Sequence, residues 1–373
     1  MQTPVVSGLA VGVAFVILFS VILASSSSLQ ISNHTSRDNG QIVFSSAVDG
    51  NTHQIYLVNS DGTSPTRLTD EDDLWHFGPV SSPDGTKIAY ITWDSFEPPH
   101  GKIMQDLFVI NGDGTNKVLV TRNCQNNHEV GRHVWSPDGT KIAFEGADDI
   151  FVVDIDGTNC IRLSTDDLQS IEHKPVWASN SKIMFSNVFG NKNMTSVLGA
   201  SLNEINIDGT GLRTLFDYDY DVDVDHIWSP DLSKISFIHV NDQDSASLYV
   251  MNADGNNLTK IADSNSTFPL AFENMEWSPD GQKIAFEHLE GDYHDIYVVN
   301  VKDGSLKKLS NSKAYDGNPV WSPDGKKIAF TRIIPEGEIS GGIYVMNAKD
   351  GSEQMQVAKI ESSIVNVPLD WLS

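Results

Sequence analysis

The sequence predicts an all-β fold, a seven-bladed β-propeller whose blades are four-stranded antiparallel sheets. Three observations predict it: a repeated string that ends in an aromatic residue, a repeated turn sequence, and a C-terminal segment that matches the strand missing from the first repeat. Seven copies of the string are present: QIVF at 41, KIAY at 87, KIAF at 141, KIMF at 182, KISF at 234, and KIAF at 283 and 327.

Each repeat contains the signals for four short strands. A Trp-Ser-Pro-Asp-Gly element precedes the string and is complete at 135–139, 277–281 and 321–325. Pro presets φ at the second turn position, Asp closes the turn and Gly accepts a positive φ, so this element joins two antiparallel strands. An alternating strand that ends in Asp-Gly follows each string, and a fourth short run comes after it.

The apolar pattern predicts that these sheets form a ring. Ile and Phe of the string lie on one face of their strand, and the preceding Trp adds a large apolar plate. A sheet that is apolar on both faces needs a neighbour on each side, and stacking around an axis provides it. The first repeat has no Trp strand before it, whereas the tail 367–371 looks like that strand. We therefore expect the C-terminal strand to complete the first blade.

These repeats resemble the TolB-like (WD40-like) propeller repeat. The resemblance covers residues 41–371 and implies the fold strongly but the activity only weakly. TolB itself carries a separate α/β domain before a six-bladed ring, and there is no room for that domain here. The chain therefore looks like a stand-alone, membrane-anchored relative and not TolB itself.

The N-terminal segment predicts a location outside the cytoplasm. Residues 5–24 are uncharged and mostly apolar, which is long enough for a transmembrane helix. We expect residues 1–24 to be an uncleaved anchor, with a cleaved signal peptide and a secreted protein as the alternative. Residues 25–39 are Ser-rich and predict a flexible tether, and residues 40–373 form the propeller.

Charge and cysteine content exclude several kinds of protein. Lys and Arg number 25 against 50 Asp and Glu, a net charge of −25 that leaves no cationic surface for nucleic acid. The two cysteines, Cys124 and Cys160, have no zinc-ribbon or CxxC spacing, and either one bridge or two inert thiols is consistent with the sequence.

Motifs for hydrolases and nucleotide-binding proteins are absent from the sequence. No G-x-S-x-G occurs, so a serine hydrolase is excluded, and neither Walker nor dinucleotide-binding glycine loops are present. The remaining candidates for chemistry lie between each fourth strand and the next first strand, where acidic and histidine residues collect.

Two groups of these residues are candidate metal ligands. His128, His133, His173 and His226, with Glu129 or Glu172, have the side chains that transition metals prefer, although the more ordinary interpretation is scattered polar loop residues. Related seven-bladed, metal-dependent oligogalacturonate lyases show that such rings can hold a metal centre. The second group is an acidic run that is either a Ca²⁺ site or a solvated loop: Asp217, Asp219, Asp221, Asp223 and Asp225.

We expect a monomeric, non-enzymatic scaffold that binds a basic protein or peptide on its acidic loops. No cofactor is expected, apart from the candidate Ca²⁺. The alternative is a metal-dependent polysaccharide lyase or hydrolase that uses the histidine and carboxylate cluster. Trp75 and Trp93 lie outside the repeat pattern and either contact a ligand or cover a loop. The residues expected on the partner-binding face are Asp72, Asp73, His76, Glu129, Glu172, Glu273 and Asp316.

Overall fold

The computed structural model describes thirteen stretches of the chain: residues 40–47, 52–71, 74–94, 105–124, 129–163, 170–190, 197–218, 223–240, 246–263, 273–291, 293–334, 340–360 and 369–372. Within them, 28 strands form seven four-stranded antiparallel sheets. Each sheet is one blade, so the predicted seven-bladed β-propeller is confirmed. The predicted anchor and tether lie outside these stretches, and the described part of the chain contains no helix that is long and apolar enough to span a membrane.

The strands are numbered in chain order, and each blade from the second onwards takes four consecutive strands. Blade 1 comprises β28 (Leu369–Leu372), β1 (Gln41–Ser46), β2 (Gln54–Asn59) and β3 (Thr66–Arg67); blade 2, β4 (Leu74–Ser81), β5 (Lys87–Asp94), β6 (Gln105–Asn111) and β7 (Val118–Leu119); blade 3, β8 (His133–Trp135), β9 (Lys141–Gly146), β10 (Asp149–Asp154) and β11 (Ile161–Arg162). Blade 4 comprises β12 (Ser170–Ser179), β13 (Lys182–Gly190), β14 (Val197–Asn206) and β15 (Arg213–Tyr218); blade 5, β16 (Asp223–Trp228), β17 (Lys234–Val240), β18 (Ala246–Asn252) and β19 (Thr259–Asp263). Blade 6 comprises β20 (Glu273–Trp277), β21 (Lys283–Glu290), β22 (Tyr293–Asn300) and β23 (Leu306–Lys308); blade 7, β24 (Tyr315–Trp321), β25 (Lys327–Ile334), β26 (Ser340–Asn347) and β27 (Met355–Ile360). One short 3-10 helix, Val120–Asn123, follows β7.

The turn between the first and second strands of a blade is built by its own side chains. In blade 3, Ser136 Oγ accepts a hydrogen bond from the Lys141 N–H at 2.9 Å and donates one to Asp138 Oδ1 at 2.7 Å. Asp138 also accepts the Thr140 N–H at 3.0 Å, and Gly139 has a φ of +68°. The roles predicted for Asp and Gly in this turn are therefore confirmed.

The repeated Ile-Ala-Phe string explains how neighbouring blades pack. In blade 3, Ile142 and Phe144 share one cluster with Trp135 and with side chains of blade 2. Ala143 points to the opposite side, where it packs against Trp177 of blade 4. A small side chain at this position leaves room for the large indole of the following blade. The predicted position of the Trp plates between blades is confirmed.

The Trp side chains also tie the blades together through hydrogen bonds, which the sequence did not predict. Five indole Nε1–H groups donate to a backbone carbonyl on the innermost strand of the preceding blade, which satisfies their one polar group in the core, whereas Trp228 Nε1 is buried without a hydrogen-bond partner among the described residues. The bonds run from Trp135 to Val80 (3.0 Å), Trp177 to Val134 (3.1 Å), Trp277 to Ile227 (3.4 Å), Trp321 to Glu276 (3.3 Å) and Trp371 to Val320 (3.0 Å).

The ring closes between the two ends of the described chain. β28 pairs antiparallel with β1, and the register joins Ile42 to Trp371 and Phe44 to Leu369. Leu369 and Trp371 are buried in one cluster with side chains of β1 and of blade 7. The C-terminal strand therefore completes the first blade, as the sequence predicts.

A disulfide joins blades 2 and 3. Cys124 lies directly after the 3-10 helix of blade 2, and Cys160 directly before β11 of blade 3. Their Cα atoms are 5.4 Å apart, and both side chains pack against the apolar cluster between the two blades. The sequence leaves open either one disulfide or two inert thiols, and the structure contains the disulfide.

Candidate functional site

The chain order places the described candidate residues on one face of the ring. The turn between strands one and two in blades 2 to 7, and the turn between strands three and four in every blade, lie on one face, which we call the turn face. On the opposite face, which we call the loop face, strand two ends and strand three begins, and strand four ends and the first strand of the next blade begins. Of the acidic and histidine residues singled out in the sequence, those that the structure describes lie towards the loop face.

A bulge interrupts the innermost strand of several blades close to the loop face. The strand register shifts there, and the residue three positions before the Trp position adopts a positive φ. These residues are Gly78 (+57°), Lys174 (+56°), Asn274 (+48°) and Asn318 (+50°). Glu145 accepts the N–H of Lys174, at the bulge of the next blade, at 2.6 Å, and that of Arg132, in its own blade, at 3.1 Å.

The bulges were not predicted, because the residues that occupy them have no common side-chain type. A signal was nevertheless present, since Gly78, Asn274 and Asn318 are residues that tolerate a positive φ. Lys174 gives no such signal, and only the structure shows that it adopts the same conformation.

Two predicted partner-face residues are buried and bonded within the ring. His76 places Nε2 3.2 Å from Glu71 Oε2, and Lys117 pairs with the same carboxylate. Burial lowers the pKa of His76, so its imidazole is neutral near pH 7. Asp316 is fully buried, and Arg332 donates to both of its oxygens at 2.6 and 2.7 Å. Both side chains therefore lie beneath the surface of the loop face.

Three of the four candidate histidines lie within the described residues. His173 and His226 come together, with ring centroids 6.1 Å apart, and His226 Nε2 lies 2.7 Å from Ser186 Oγ. Burial lowers the pKa of His133 to about 4 and that of His226 well below its usual value, with the Lys174 charge adding to the second shift. Both imidazoles are therefore neutral at physiological pH.

The metal-binding predictions remain predictions. His128, Asp219 and Asp221 lie outside the described residues, and so do the side chains of Asp223 and Asp225. Across the residues that are described, no three His, Cys, Asp or Glu side chains form a group able to hold a metal ion. Asp217 is exposed at the end of β15.

The other acidic residues of the predicted partner face differ in exposure. Glu129 is exposed, whereas Glu172 is buried on β12. Asp72 and Asp73 lie outside the described residues, and of Glu273 only the backbone is described, in β20.

An aromatic cluster forms a partly exposed surface at the loop-face end of blades 1 and 2. Trp75 and Trp93 are opposite each other on β4 and β5, with ring centroids 6.2 Å apart, and both are half-buried. His53 of blade 1 lies 5.2 Å from Trp75 and 5.0 Å from Phe77. Burial lowers the pKa of His53 to about 4, so it behaves as a neutral aromatic ring. We call His53, Trp75, Phe77 and Trp93 the aromatic cluster.

A cleft lies on blade 4, and all the described residues that line it belong to this blade. The central strands of blade 4, β13 and β14, have nine and ten residues, whereas β9 and β10 of blade 3 have six each. Phe185 packs in one cluster with side chains of blade 3 and also lines the cleft, together with Asn187 and Phe189 on the same side of β13. The cleft has a volume of about 300 Å³. Glu172, Asn187, Ser201 and Asp217 cross its floor as successive partners on four strands.

Two carboxyl groups lie between the innermost strands. Asp370 Oδ2 accepts hydrogen bonds from Ser81 N at 2.9 Å and Ser81 Oγ at 2.8 Å. Glu276 Oε2 accepts the Trp321 N–H at 2.9 Å in the equivalent place. Ser81 is the residue that replaces a Trp in blade 2, so the acid on the closing strand supplies the contact between blades 1 and 2 at that position. The sequence signal was a carboxyl residue directly before Trp371, where most repeats have Val or Ile.

Asp370 makes the stability of the ring depend on pH. Burial raises its pKa from 3.8 to about 6, despite the hydrogen bonds that it accepts. Because the pKa is raised in the native state, the contribution of protonated Asp370 to the free energy of unfolding is complete below pH 4 and is lost as the pH rises through 6. The free energy of unfolding of Asp370→Asn, relative to the native protein, should therefore increase by about 3 kcal/mol from pH 4 to pH 7.

Urea unfolding of both proteins across this pH range checks the expectation. Asp303→Asn is the matched control, because hydrogen bonds from Ser305 lower the pKa of this exposed turn residue. The free energy of unfolding of Asp303→Asn, relative to the native protein, should decrease over the same pH range. A pH-independent difference for Asp370→Asn would contradict the assignment.

Comparisons with known proteins agree with this architecture. Residues 202–364 match the family model described as TolB beta propeller domain. The chain is 28% identical to the uncharacterized peptidase YuxL of Bacillus subtilis (strain 168) over 146 aligned residues, and the match covers 30% of this chain and only 22% of that protein.

Two solved structures illustrate the likeness in three dimensions. TolB from Acinetobacter baumannii superposes with a TM-score of 0.51 at 16% identity, over 89% of this chain and 66% of that one. An oligogalacturonate lyase in complex with manganese superposes with a TM-score of 0.61 at 15% identity, over 87% of both chains. At such identities the likeness shows the fold alone.

Proposed function

We propose that this chain, a TolB-like β-propeller repeat protein, acts outside the cytoplasm as a scaffold that binds a basic protein or peptide segment on its loop face. The observation that carries the proposal is the aromatic cluster. Half-buried Trp residues on a rigid sheet are the side chains that contribute most to protein interfaces. Trp75 and Trp93 are fixed on paired strands, so little conformational entropy is lost when they bind.

The charge of the loop face supports a basic partner. Exposed carboxylates lie towards this face on Asp70, Glu129 and, near the end of β15, Asp217. Burial and the nearby charges of Asp149 and Glu129 raise the pKa of Asp148, as expected where acidic groups crowd together. With a net charge of −25, the chain attracts cationic partners and increases their rate of association.

The disulfide supports a location outside the cytoplasm. Bridges persist in oxidising compartments and are rare where thiols are kept reduced. The bridge between Cys124 and Cys160 fits the apolar segment 5–24, which we propose to be the anchor, with residues 25–39 as the tether. A secreted ring would result if that segment were cleaved.

The alternative, a metal-dependent polysaccharide lyase or hydrolase, has weaker support. It rests on the fold likeness to an oligogalacturonate lyase and on the closeness of His173 and His226. Incubation of the protein with oligogalacturonate and Mn²⁺ separates the two functions. The scaffold proposal expects no turnover, whereas turnover that is lost in His226→Ala would favour the enzyme.

Binding of basic peptides tests the scaffold proposal directly. The full-length protein should retain a subset of peptides rich in Lys and Arg from a fluorescent peptide library, measured by fluorescence anisotropy. The double variant Trp75→Ala, Trp93→Ala should raise the dissociation constant about 30-fold, which corresponds to a loss of about 2 kcal/mol of binding free energy for removal of a hot spot. Leu258→Ala, at an exposed apolar residue away from the cluster, should leave it unchanged. Equal binding by both variants would refute the aromatic cluster as the docking surface.

A further inference from the structure

Arg132 carries a positive charge that no described residue pairs with. Its backbone N–H donates to Glu145, but its guanidinium forms no hydrogen bond or ion pair with any residue that the structure describes. The Nε atom is buried although the side chain as a whole is half-buried, so the two terminal nitrogens are the part of the guanidinium that faces solvent. In a chain with 50 acidic and only 25 basic side chains, such a group is open to an external anion.

The fold places this side chain at the inner edge of the ring. Gly131 and Arg132 both lie opposite Glu145, since the Gly131 N–H donates to the Glu145 carbonyl and the Glu145 N–H donates to the Arg132 carbonyl, each at 2.9 Å. This bulge comes directly before β8, the innermost strand of blade 3. The imidazole of His133, the next residue, packs beside Gly78 of blade 2. The side chain of Arg132 therefore points the other way, towards blade 4.

Blade 4 brings a second basic residue to the same place. The Lys174 N–H, at the bulge of blade 4, donates to Oε1 of Glu145 at 2.6 Å, and the Arg132 N–H donates to Oε2 of the same carboxylate at 3.1 Å. One carboxylate thus holds the two residues side by side through their main chains. Both of its oxygens accept main-chain N–H groups, and neither forms an ion pair with the Arg132 guanidinium.

Two imidazoles complete this part of the inner edge. His173 precedes Lys174, and its ring centroid is 6.1 Å from that of His226 on blade 5. His226 faces blade 4, because its Nε2 lies 2.7 Å from Ser186 Oγ. Burial is the main cause of the lowered pKa of His226, and the positive charges of three nearby residues lower it further: Lys174, His173 and Arg132. Basic side chains of three consecutive blades therefore meet here, and we call Arg132, His173, Lys174 and His226 the inner basic cluster.

We propose that the inner basic cluster binds a carboxylate. The two terminal nitrogens of a guanidinium present parallel N–H donors that match both oxygens of a carboxylate. A neighbouring ammonium adds positive charge and further donors, and a neutral imidazole can donate one more hydrogen bond. The bulges fix the main chains of Arg132 and Lys174 on Glu145, so the site is largely formed before a ligand arrives.

A carboxylate at this position has two sources, a free sugar acid or the C-terminal carboxyl group of a peptide. The peptide source rests on the function proposed above, whereas the sugar-acid source does not. The two are therefore tested with separate probes: D-glucuronate, and an acetylated alanine tripeptide with a free C-terminus. The uncharged controls are D-glucose and the same tripeptide amidated at its C-terminus.

Isothermal titration of the full-length protein should show saturable binding of at least one carboxylate probe and none of its uncharged control. Arg132→Gln removes the charge and the paired donors, and it should weaken that binding about tenfold or more. Arg122→Gln is the matched control, because Arg122 is exposed in the short 3-10 helix after the outermost strand of blade 2. It changes the net charge equally and should bind as the native protein does. The unfolding midpoint of each variant shows that it is folded.

Each outcome bears on the proposal in a definite way. Binding of glucuronate supports a small-molecule site, and binding of the tripeptide supports a site for the end of a partner chain. No saturable binding of either carboxylate probe, or binding that a folded Arg132→Gln retains in full, overturns the proposal. Tighter binding of inorganic phosphate than of both probes also overturns it, because the site would then select another anion. Retention of basic peptides through Trp75 and Trp93 depends on none of these results, so the two proposals fail separately.

Discussion

A chain that ends at residue 368 will lose the cooperative unfolding transition of the full-length protein. Removal of 369–373 deletes the innermost strand of blade 1 and leaves one edge of β1 unpaired. It also uncovers the cluster in which Leu369 and Trp371 pack against blades 1 and 7. Loss of a buried Trp alone costs about 3 to 5 kcal/mol, against a total stability of about 5 to 15 kcal/mol for typical domains.

Circular dichroism during urea unfolding measures this effect. A chain that lacks only Ser373 is the control and should unfold like the full-length protein. Trp371→Phe is the milder variant, because it keeps an apolar ring but loses the hydrogen bond to the Val320 carbonyl. We expect it to cost about 1 to 2 kcal/mol and to remain cooperative. If the chain that ends at residue 368 unfolds at the same urea midpoint as the native protein, closure through β28 does not stabilise the ring.

Reduction of the disulfide will cause the second large loss of stability. Cys124 and Cys160 are separated by 36 residues, and the chain-entropy model gives a stabilisation of about 4 kcal/mol for a loop of this length. The double variant Cys124→Ser, Cys160→Ser should show this loss in chemical unfolding. A reductant should destabilise the native protein by a similar amount and leave the double variant unaffected. A native protein whose stability does not change with reductant would contradict a stabilising bridge.

The fold could be predicted because its signals are local. A turn such as Ser136 to Gly139 is made by side chains that bond within five residues, so the same letters produce the same hairpin in each blade. Ring closure was predictable for a related reason, since the tail around Trp371 matches the first strand of the other repeats. Each of these features follows from a pattern in one segment.

The candidate site could not be predicted to the same extent, because its features depend on contacts between distant segments. Asp370 and Ser81 are 289 residues apart in sequence, and nothing in either segment indicates the other. The floor of the cleft is made by side chains of four paired strands of blade 4, which meet only once β12 to β15 have paired in this register. The roles of histidines such as His76 are decided by burial, which spacing alone does not indicate.

The pairing of β1 with β28 also determines the face on which the described part of the chain begins. Gly40 and Gln41 lie on the turn face, since the Gly40 carbonyl accepts the Ser60 N–H and Gln41 pairs with Asn59, at the start of the turn between β2 and β3. Any attachment through the residues before Gly40 would therefore hold the ring at its turn face. The exposed carboxylate of Glu129 and the indoles of Trp75 and Trp93 lie towards the opposite, loop face.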